Sequence, residues 1–406
     1  MNQGLYLSHP GVICAAGANA EKLWECCLSG NQDGLKKVKA VSGKEFYAGR
    51  IDDSLLKPAV NAKYDMRIIR ILDAALAQIK PVVGEVKAKY GDSRIGVCLG
   101  SCDNGSEFSL KAHRAYFADG KFPAGYELEV QGADYPATFV KEACGVTGPA
   151  FVFSTACSSS GSALVKAREM IEAGIIDAAI VGGVDIASDT VLLGFDSLEA
   201  VSDKKANPFS ANRNGITLGE GAALFVLSRD KSVVAESDAD DGFAVRLLGC
   251  GESADASHMT APLEDGSGAE QAISAALTDA SLKTGDIDYI NLHGTGTHLN
   301  DSMEAKAVKT VFGELAEKIP VSTTKPLTGH TLGAAASIEL AICYMALKNS
   351  ACKKLPVQVW DKVREDGMPY LNFVDDGFEV EKEIKTAMSN SFGFGGCNIS
   401  LIIGKE

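Results

Sequence analysis

Short, continuously apolar runs alternate along the chain with longer stretches in which apolar residues recur every three or four positions. Residues 94–100 (RIGVCLG) and 150–154 (AFVFS) are too short for helices and predict buried strands. After the second, Ala163, Leu164, Ala167, Met170 and Ile171 fall at helical spacing, and Gly174 is placed to stop that helix. Residues 177–184 (DAAIVGGV) and 222–228 (AALFVLS) are again almost wholly apolar, as in strands covered on both faces. The alternation pauses at an acidic stretch, 236–242 (ESDADDG). It then restarts with strand 243–249, helix 269–280, strand 288–292, helix 301–312, strand 321–323, helix 331–347 and strand 398–403. The expectation is an α/β chain of two successive halves, 1–242 and 243–406, with no residue-level repeat between them.

Composition adds exclusions. The chain has 406 residues, with 39 Lys+Arg against 53 Asp+Glu, a formal charge of −14. No long basic run is available to neutralise phosphates, so nucleic-acid binding is not expected. The longest apolar stretch, 333–347, is interrupted by Ser337 and Glu339 and is shorter than the roughly 20 residues of a membrane span. The N-terminus shows no basic segment followed by an apolar run, which argues against a secretory signal. Eleven cysteines without a CxxC pair argue against a disulfide scaffold or zinc ribbon and for a reducing, cytoplasmic setting.

Four segments carry chemistry. In 154–160 (STACSSS), Cys157 sits between a strand and a helix N-terminus. It is either a buried cysteine at a tight turn or a thiol whose pKa the helix dipole lowers. In 291–297 (NLHGTGT), His293 ends a strand and opens a Gly/Thr loop, facing a cleft or serving structure. In 325–333 (KPLTGHTLG), Lys325 and His330 precede a helix that is apolar nearly all round and contains Glu339. A buried carboxylate needs a partner, and a structural ion pair with Lys325 or a bound cation would supply one. In 389–396 (SNSFGFGG), glycines allow close backbone approach and N–H groups aimed at an oxyanion.

Together, in this order, the four segments resemble the elongating β-ketoacyl-[acyl-carrier-protein] synthases, and the resemblance runs from Gly11 to Gly404. It implies a thiolase-like α/β fold, two similar halves in a layered αβαβα core. It implies an acyltransferase that holds an acyl group on Cys157 and condenses it, with decarboxylation, with malonyl-acyl-carrier protein, in fatty-acid or polyketide-type elongation. Cys157, His293 and His330 match the family's triad, each histidine carrying its proton on Nε2, and Lys325 and Glu339 match residues that support the pair. The backbone N–H groups of Cys157 and Phe394 match the oxyanion hole, and Phe394 also matches the gate to the acyl pocket. Thr295, Thr297 and Phe392 match contacts to substrate and its pantetheine arm. Asn291, Glu339, Ser389 and Asn390 match a monovalent-cation site of some relatives. Asp301 and Glu304 match acidic anchors of the His293 loop. No free cofactor is implied, because phosphopantetheine arrives on the carrier protein.

Carrier protein is acidic, so docking needs local basic residues. Lys63, Arg67 and Arg70 fall at helical spacing, and Lys111, Arg114 and Lys121 form a second group. Both groups resemble docking regions, and both are also compatible with a solvated helix face. Residues 101–105 differ from the housekeeping fatty-acid synthases, and the wording around 194–199, 214–220 and 299–304 resembles synthases of bacterial aryl-polyene or polyketide-like clusters. The family implies a homodimer, or a heterodimer with a chain-length-factor-like subunit. Two other readings differ testably: a non-catalytic carrier-docking subunit would not acylate Cys157, and a Cys–His hydrolase would not need malonyl-carrier protein.

Overall fold

The computed structural model describes residues 4–59, 61–103, 105–235 and 243–406. The acidic stretch 236–242, expected to separate the halves, lies outside them. The early strands are β1 (Leu5–Leu7), β2 (Gly11–Cys14), β3 (Leu35–Lys39), β4 (Glu45–Gly49), β5 (Ile95–Gly100), β6 (Ala150–Phe153) and β7 (Ala178–Asp185). They are followed by β8 (Leu218–Gly219), β9 (Gly221–Ser228), β10 (Val245–Ala254), β11 (Tyr289–Asn291) and β12 (Pro320–Ser322). The last are β13 (Asn372–Phe373), β14 (Thr386–Phe392) and β15 (Cys397–Lys405). Twelve form one sheet in the order β13-β12-β11-β14-β15-β10-β1-β9-β7-β5-β6, with β2 also on β9. The other three, β3, β4 and β8, pair separately.

That order contains a repeat that the residues do not show. Counting β1 and β2 as one strand, the run β6-β5-β7-β9-β1 reads third, second, fourth, fifth, first in chain order. The run β12-β11-β14-β15-β10 reads the same. Directions match too: the first three strands of each run are parallel, the fourth pairs antiparallel with the third, and the fifth pairs antiparallel with the fourth. Antiparallel pairing of β1 with β10 joins the runs.

Burial explains the layers. Helix Ser159–Glu172 follows β6 and helix Ala335–Lys348 follows β12, and the two pack together between the sheet halves. All residues of the second helix except Lys348 are buried, as an all-round apolar sequence requires. Helices Arg67–Tyr90 and Tyr135–Cys144 cover one outer face, and Ser267–Ala280 and His298–Phe312 the other. The result is an αβαβα stack with its largest core in the central layer.

Small residues let the two central helix starts meet. A Cβ at Gly100 would lie 2.1 Å from Ser160 N, and one at Gly161 would lie 3.0 Å from Ile399. Ser337 N donates to Ser160 Oγ at 3.0 Å, tying the helix starts together. The helix expected from residue 331 begins only at Ala335. Residues Leu332–Ala334 form a 3-10 turn instead, with Leu332 at φ +51°. The segment 389–396 also divides: 389–392 is the end of β14, and only 393–396 is loop.

Candidate active site

Equivalent connections of the two runs meet at the site: Cys157 lies between β6 and its helix, and His330 between β12 and its helix. His330 Nε2 is 3.0 Å from Cys157 Sγ. Ala156, just before the nucleophile, is held at φ +53°, a left-handed conformation that costs about 1–2 kcal/mol outside glycine. Tight packing around the turn sustains it, as it does for Leu332 beyond His330.

His293 arrives from the end of β11. Its ring centroid is 5.4 Å from that of His330, at 84°. The loop that follows is pinned by Glu304, whose carboxylate accepts His293 N–H and Gly294 N–H, both at 2.8 Å. Asp301 accepts Gly296 N–H at 3.2 Å and Phe209 N–H at 2.7 Å. Sulfur and one nitrogen of each histidine lie within 4.8 Å of one another, and all three residues are buried.

Lys325 is 1 % exposed and its Nζ bonds Glu339 Oε1 and the His293 carbonyl. It also lies 3.2 Å from His293 Nδ1. An ammonium only donates, so Nδ1 accepts and the His293 proton sits on Nε2. The tautomer implied by the resemblance therefore has a cause in the geometry for His293. His330 Nδ1 is buried without a partner, so its tautomer is set from the Nε2 side, where the thiol lies. Burial pushes Glu339 up to about 7, while Lys325 holds it below where burial alone would put it.

The thiol corrects one expectation. Burial pushes Cys157 up to about 11. Lys325 and the backbone N–H groups of Phe394 and Cys157 pull the other way and are outweighed. Burial wins because a helix dipole is worth about 0.3–2 kcal/mol, whereas desolvating an anion costs several kcal/mol. Both histidines are held well below 6.5, first by burial and then by the Lys325 charge. The resting pair is a neutral thiol facing a neutral imidazole.

A cleft of about 260 Å³ opens on this group, lined by Cys157, His293, His330, Thr295, Thr297 and Phe392 among others. Phe394 stands at its side, half-buried, with its ring stacked on Phe195 at 5.7 Å. Gly395 and Gly396 follow it at φ of +82° and +77°, and the Phe394 N–H faces the sulfur.

Three of the four residues matched to a cation site lie on neighbouring elements. Asn291 and Ser389 are register partners on β11 and β14, and Glu339 lies on the helix packed against β14. Asn291 Oδ1, Ser389 Oγ and Glu339 Oε2 are buried without hydrogen-bond partners. Three orphaned oxygens fit a hard cation. Asn390 does not add a fourth, because its oxygen accepts Ser400 Oγ and its orphaned atom is the amide nitrogen.

The basic groups are largely neutralised. Lys63 lies in a 3-10 turn before the helix that carries Arg67 and Arg70, so the three do not share a helix face. Arg67 is held by buried Glu220, by Asp53 and by the Ile51 carbonyl, which makes it a structural ion-pair residue. Arg70 pairs with Asp65, Lys63 with Glu127 and Glu129, and Lys111 with Glu107. Among the described residues Arg114 and Lys121 are exposed outside these pairs. Sequence reasoning also missed Asp185. Its buried carboxylate accepts Gly333 N–H at 2.6 Å and Cys102 N–H at 2.9 Å, bracing the turn after His330.

A thiolase-like stack with a Cys–His–His group at its centre defines a carbon–carbon condensing acyltransferase. Residues 11–232 match the model "Beta-ketoacyl synthase, N-terminal domain", and 244–356 match "Beta-ketoacyl synthase, C-terminal domain". The chain belongs to the β-ketoacyl synthase family. It is 31 % identical to 3-oxoacyl-[acyl-carrier-protein] synthase 2 of Vibrio cholerae, over 97 % of this chain and 96 % of that one. It is 29 % identical to the protein of the same name from Staphylococcus aureus, over 100 % and 99 %. Among solved structures it is similar to the ketosynthase ApeO of Xenorhabdus doucetiae, determined in complex with its chain length factor ApeC. That match has 37 % identity and a TM-score of 0.88, covering 100 % of this chain and 98 % of that one. Among the described residues no helix is long and apolar enough to cross a membrane.

Proposed function

We propose that Cys157, His293 and His330 carry out decarboxylative condensation between an acyl group and malonyl-acyl-carrier protein. The 3.0 Å approach of His330 Nε2 to Cys157 Sγ carries the reading. In acylation, Cys157 attacks the acyl thioester as His330 Nε2 takes the thiol proton, and the departing carrier thiol receives it. The N–H groups of Cys157 and Phe394 hold the oxyanion between these steps. In the second half-reaction the malonyl carbon–carbon bond breaks and carbon dioxide leaves. The electron pair moves onto the thioester oxygen, to which His293 Nε2–H donates, joined by His330 once its Nε2, emptied by the carrier thiol, has taken a proton from solvent. The α-carbon then attacks the acyl-cysteine carbonyl, the carbon–sulfur bond breaks, and the reaction takes up one proton overall. Lys325 fixes the His293 tautomer, and Thr295 and Thr297 hold the pantetheine arm. The reading keeps a division into halves at 242/243, supported by family matches that cover 11–232 and 244–356.

For partner, the reading is acyl carrier protein and a chain-length-factor-like subunit rather than a second identical copy. What supports it is identity of 37 % to a ketosynthase solved with its chain length factor, above the 29–31 % to the synthases named as type 2. The substrate is then a polyketide-type acyl chain. The test is mass spectrometry of products from malonyl-carrier protein with saturated, polyunsaturated and aryl-primed acyl carriers, with and without a chain-length-factor subunit. β-Ketoacyl-carrier formation from the unsaturated or aryl chains, dependent on the added subunit, is expected. Equal turnover of saturated chains by this protein alone would overturn the heterodimer reading.

Asn291, Ser389 and Glu339 would hold a monovalent cation, which supplies positive charge beside the Glu339 carboxylate. The melting temperature should be higher in potassium or sodium than in N-methylglucamine at equal ionic strength, by a few degrees. Ser389→Ala should shrink that difference, and an equal melting temperature in all three salts would remove the cation.

A further inference from the structure

Arg213 is the largest fully buried side chain among the described residues, yet it lies in neither helix nor strand. A guanidinium away from water is expensive unless its whole fork of N–H groups is used. Here the fork is spent on the cleft wall. Nε donates to the Thr297 carbonyl at 3.2 Å, and Nη2 to the His298 carbonyl at 3.0 Å and Ser302 Oγ at 2.8 Å. Nη1 donates to the Ser210 carbonyl at 2.7 Å and faces the carboxylate of Glu365. Asp301, which caps the same loop through Gly296 N–H, lies 3.8 Å from Nε.

A second contact runs beside it. Gly215 N donates to the Gly296 carbonyl at 2.9 Å. Gly296 has φ +85°, and a Cβ there would meet Gly215 O at 2.8 Å. Segment 210–215 is thus clamped along the loop whose Thr295 and Thr297 hydroxyls, 3.1 Å apart, line the cleft. None of these bonds reaches Cys157, His293 or His330.

We infer that Arg213 is a positioning residue for the phosphopantetheine arm: it fixes the carbonyls of residues 297 and 298 so that the threonine hydroxyls face the cleft at a set separation. The inference rests on the reading of Thr295 and Thr297 as the arm's contacts. It places control of carrier-substrate affinity in a residue that touches neither substrate nor the reacting groups. A lysine at this position would keep the charge and lose the fork, because one ammonium cannot serve four acceptors spread around a plane.

The test compares Arg213→Lys with the unaltered protein on two substrates: malonyl-carrier protein, and a malonyl thioester of a plain alkyl thiol, which has no amide for the loop to hold. The expected result is a KM for malonyl-carrier protein about tenfold higher with kcat changed less than about threefold, and little change on the alkyl thioester. An equal loss of kcat on both substrates would overturn the inference, since a disturbed catalytic group fails on either. An unchanged carrier KM would also overturn it. Should Arg213→Lys fail to fold, judged by circular dichroism and melting, Glu365→Gln decides. That change at a half-buried carboxylate loosens one arm of the fork and should raise the carrier KM about two- to threefold, and no rise would sink the idea. Thr295→Ala separates the two levels. If it leaves carrier KM unchanged, the pantetheine reading falls and takes this inference with it. If it raises carrier KM and Arg213→Lys does not, only the role of Arg213 is lost.

Discussion

Cys157→Ala protein will take up no acyl mass from any acyl carrier, and condensation will fall by about 10³-fold or more. Malonyl decarboxylation will persist, because His293 and the Lys325–Glu339 pair remain in place and alanine opens space for the malonyl group. The unaltered protein should gain one acyl group per chain, seen by intact-protein mass spectrometry. The environment of the thiol adds a pH signature. Since burial pushes Cys157 up to about 11 and holds both histidines well below 6.5, the resting pair is neutral. Alkylation by iodoacetamide should therefore be slow at pH 6 and climb steadily through pH 8 to 10 as thiolate forms. A rate already at its plateau near pH 6 would mean a thiolate–imidazolium pair and would contradict the electrostatics described here. Acylated protein from the Cys157→Ala variant would remove the nucleophile assignment altogether.

The two histidines should separate when each partial reaction is measured alone. His293 lies outside the Cys157–His330 contact, and its Nε2–H is free to donate. His293→Ala should lower malonyl decarboxylation by about 10²–10³-fold, the usual loss of one preorganised oxyanion donor, while acylation of Cys157 changes little. His330 serves both halves: it passes the thiol proton to the departing carrier thiol and, reprotonated, donates to the enolate. His330→Asn should therefore slow acylation and decarboxylation together. Melting temperatures of both variants should stay near that of the unaltered protein. A His330→Asn protein that acylates at full rate would show that the 3.0 Å contact carries no proton, and a His293→Ala protein with normal decarboxylation would leave His293 as a loop anchor.

Much of the site was legible because its chemistry is written in short contiguous segments. TACSSS, HGTGT, KPLTGH and NSFGFGG each fold locally at the end of a strand, so spacing in sequence translates into placement in space. Strands β5, β7 and β9 were equally legible, being apolar throughout and covered on both faces. Helix Arg67–Tyr90, the longest among the described residues, was not: its apolar stripe runs unbroken from Ile68 to Val86, but the helix-breaking signals Pro81 and Gly84 sit on its exposed face, where they cost little packing. The pKa of Cys157 was misjudged because sequence shows the helix dipole and not the burial that outweighs it. The structural ion pair of Arg67 was hidden for a similar reason, since its partner Glu220 lies 153 positions away. Arg213 and Asp185 left no local signal, because each acts through partners on distant segments.

The shared strand order of the two runs has a consequence for how this enzyme fails. Nucleophile and proton acceptor come from corresponding crossovers of two similar units, so their 3.0 Å separation measures the docking of one unit on the other. A substitution far from the cleft, anywhere along the seam of β1 with β10 or between the central helices, changes that separation if it slides the units by a fraction of an ångström. Catalytic rate is then a sensitive gauge of the seam, and it should decline before secondary structure or the melting transition gives any sign of damage.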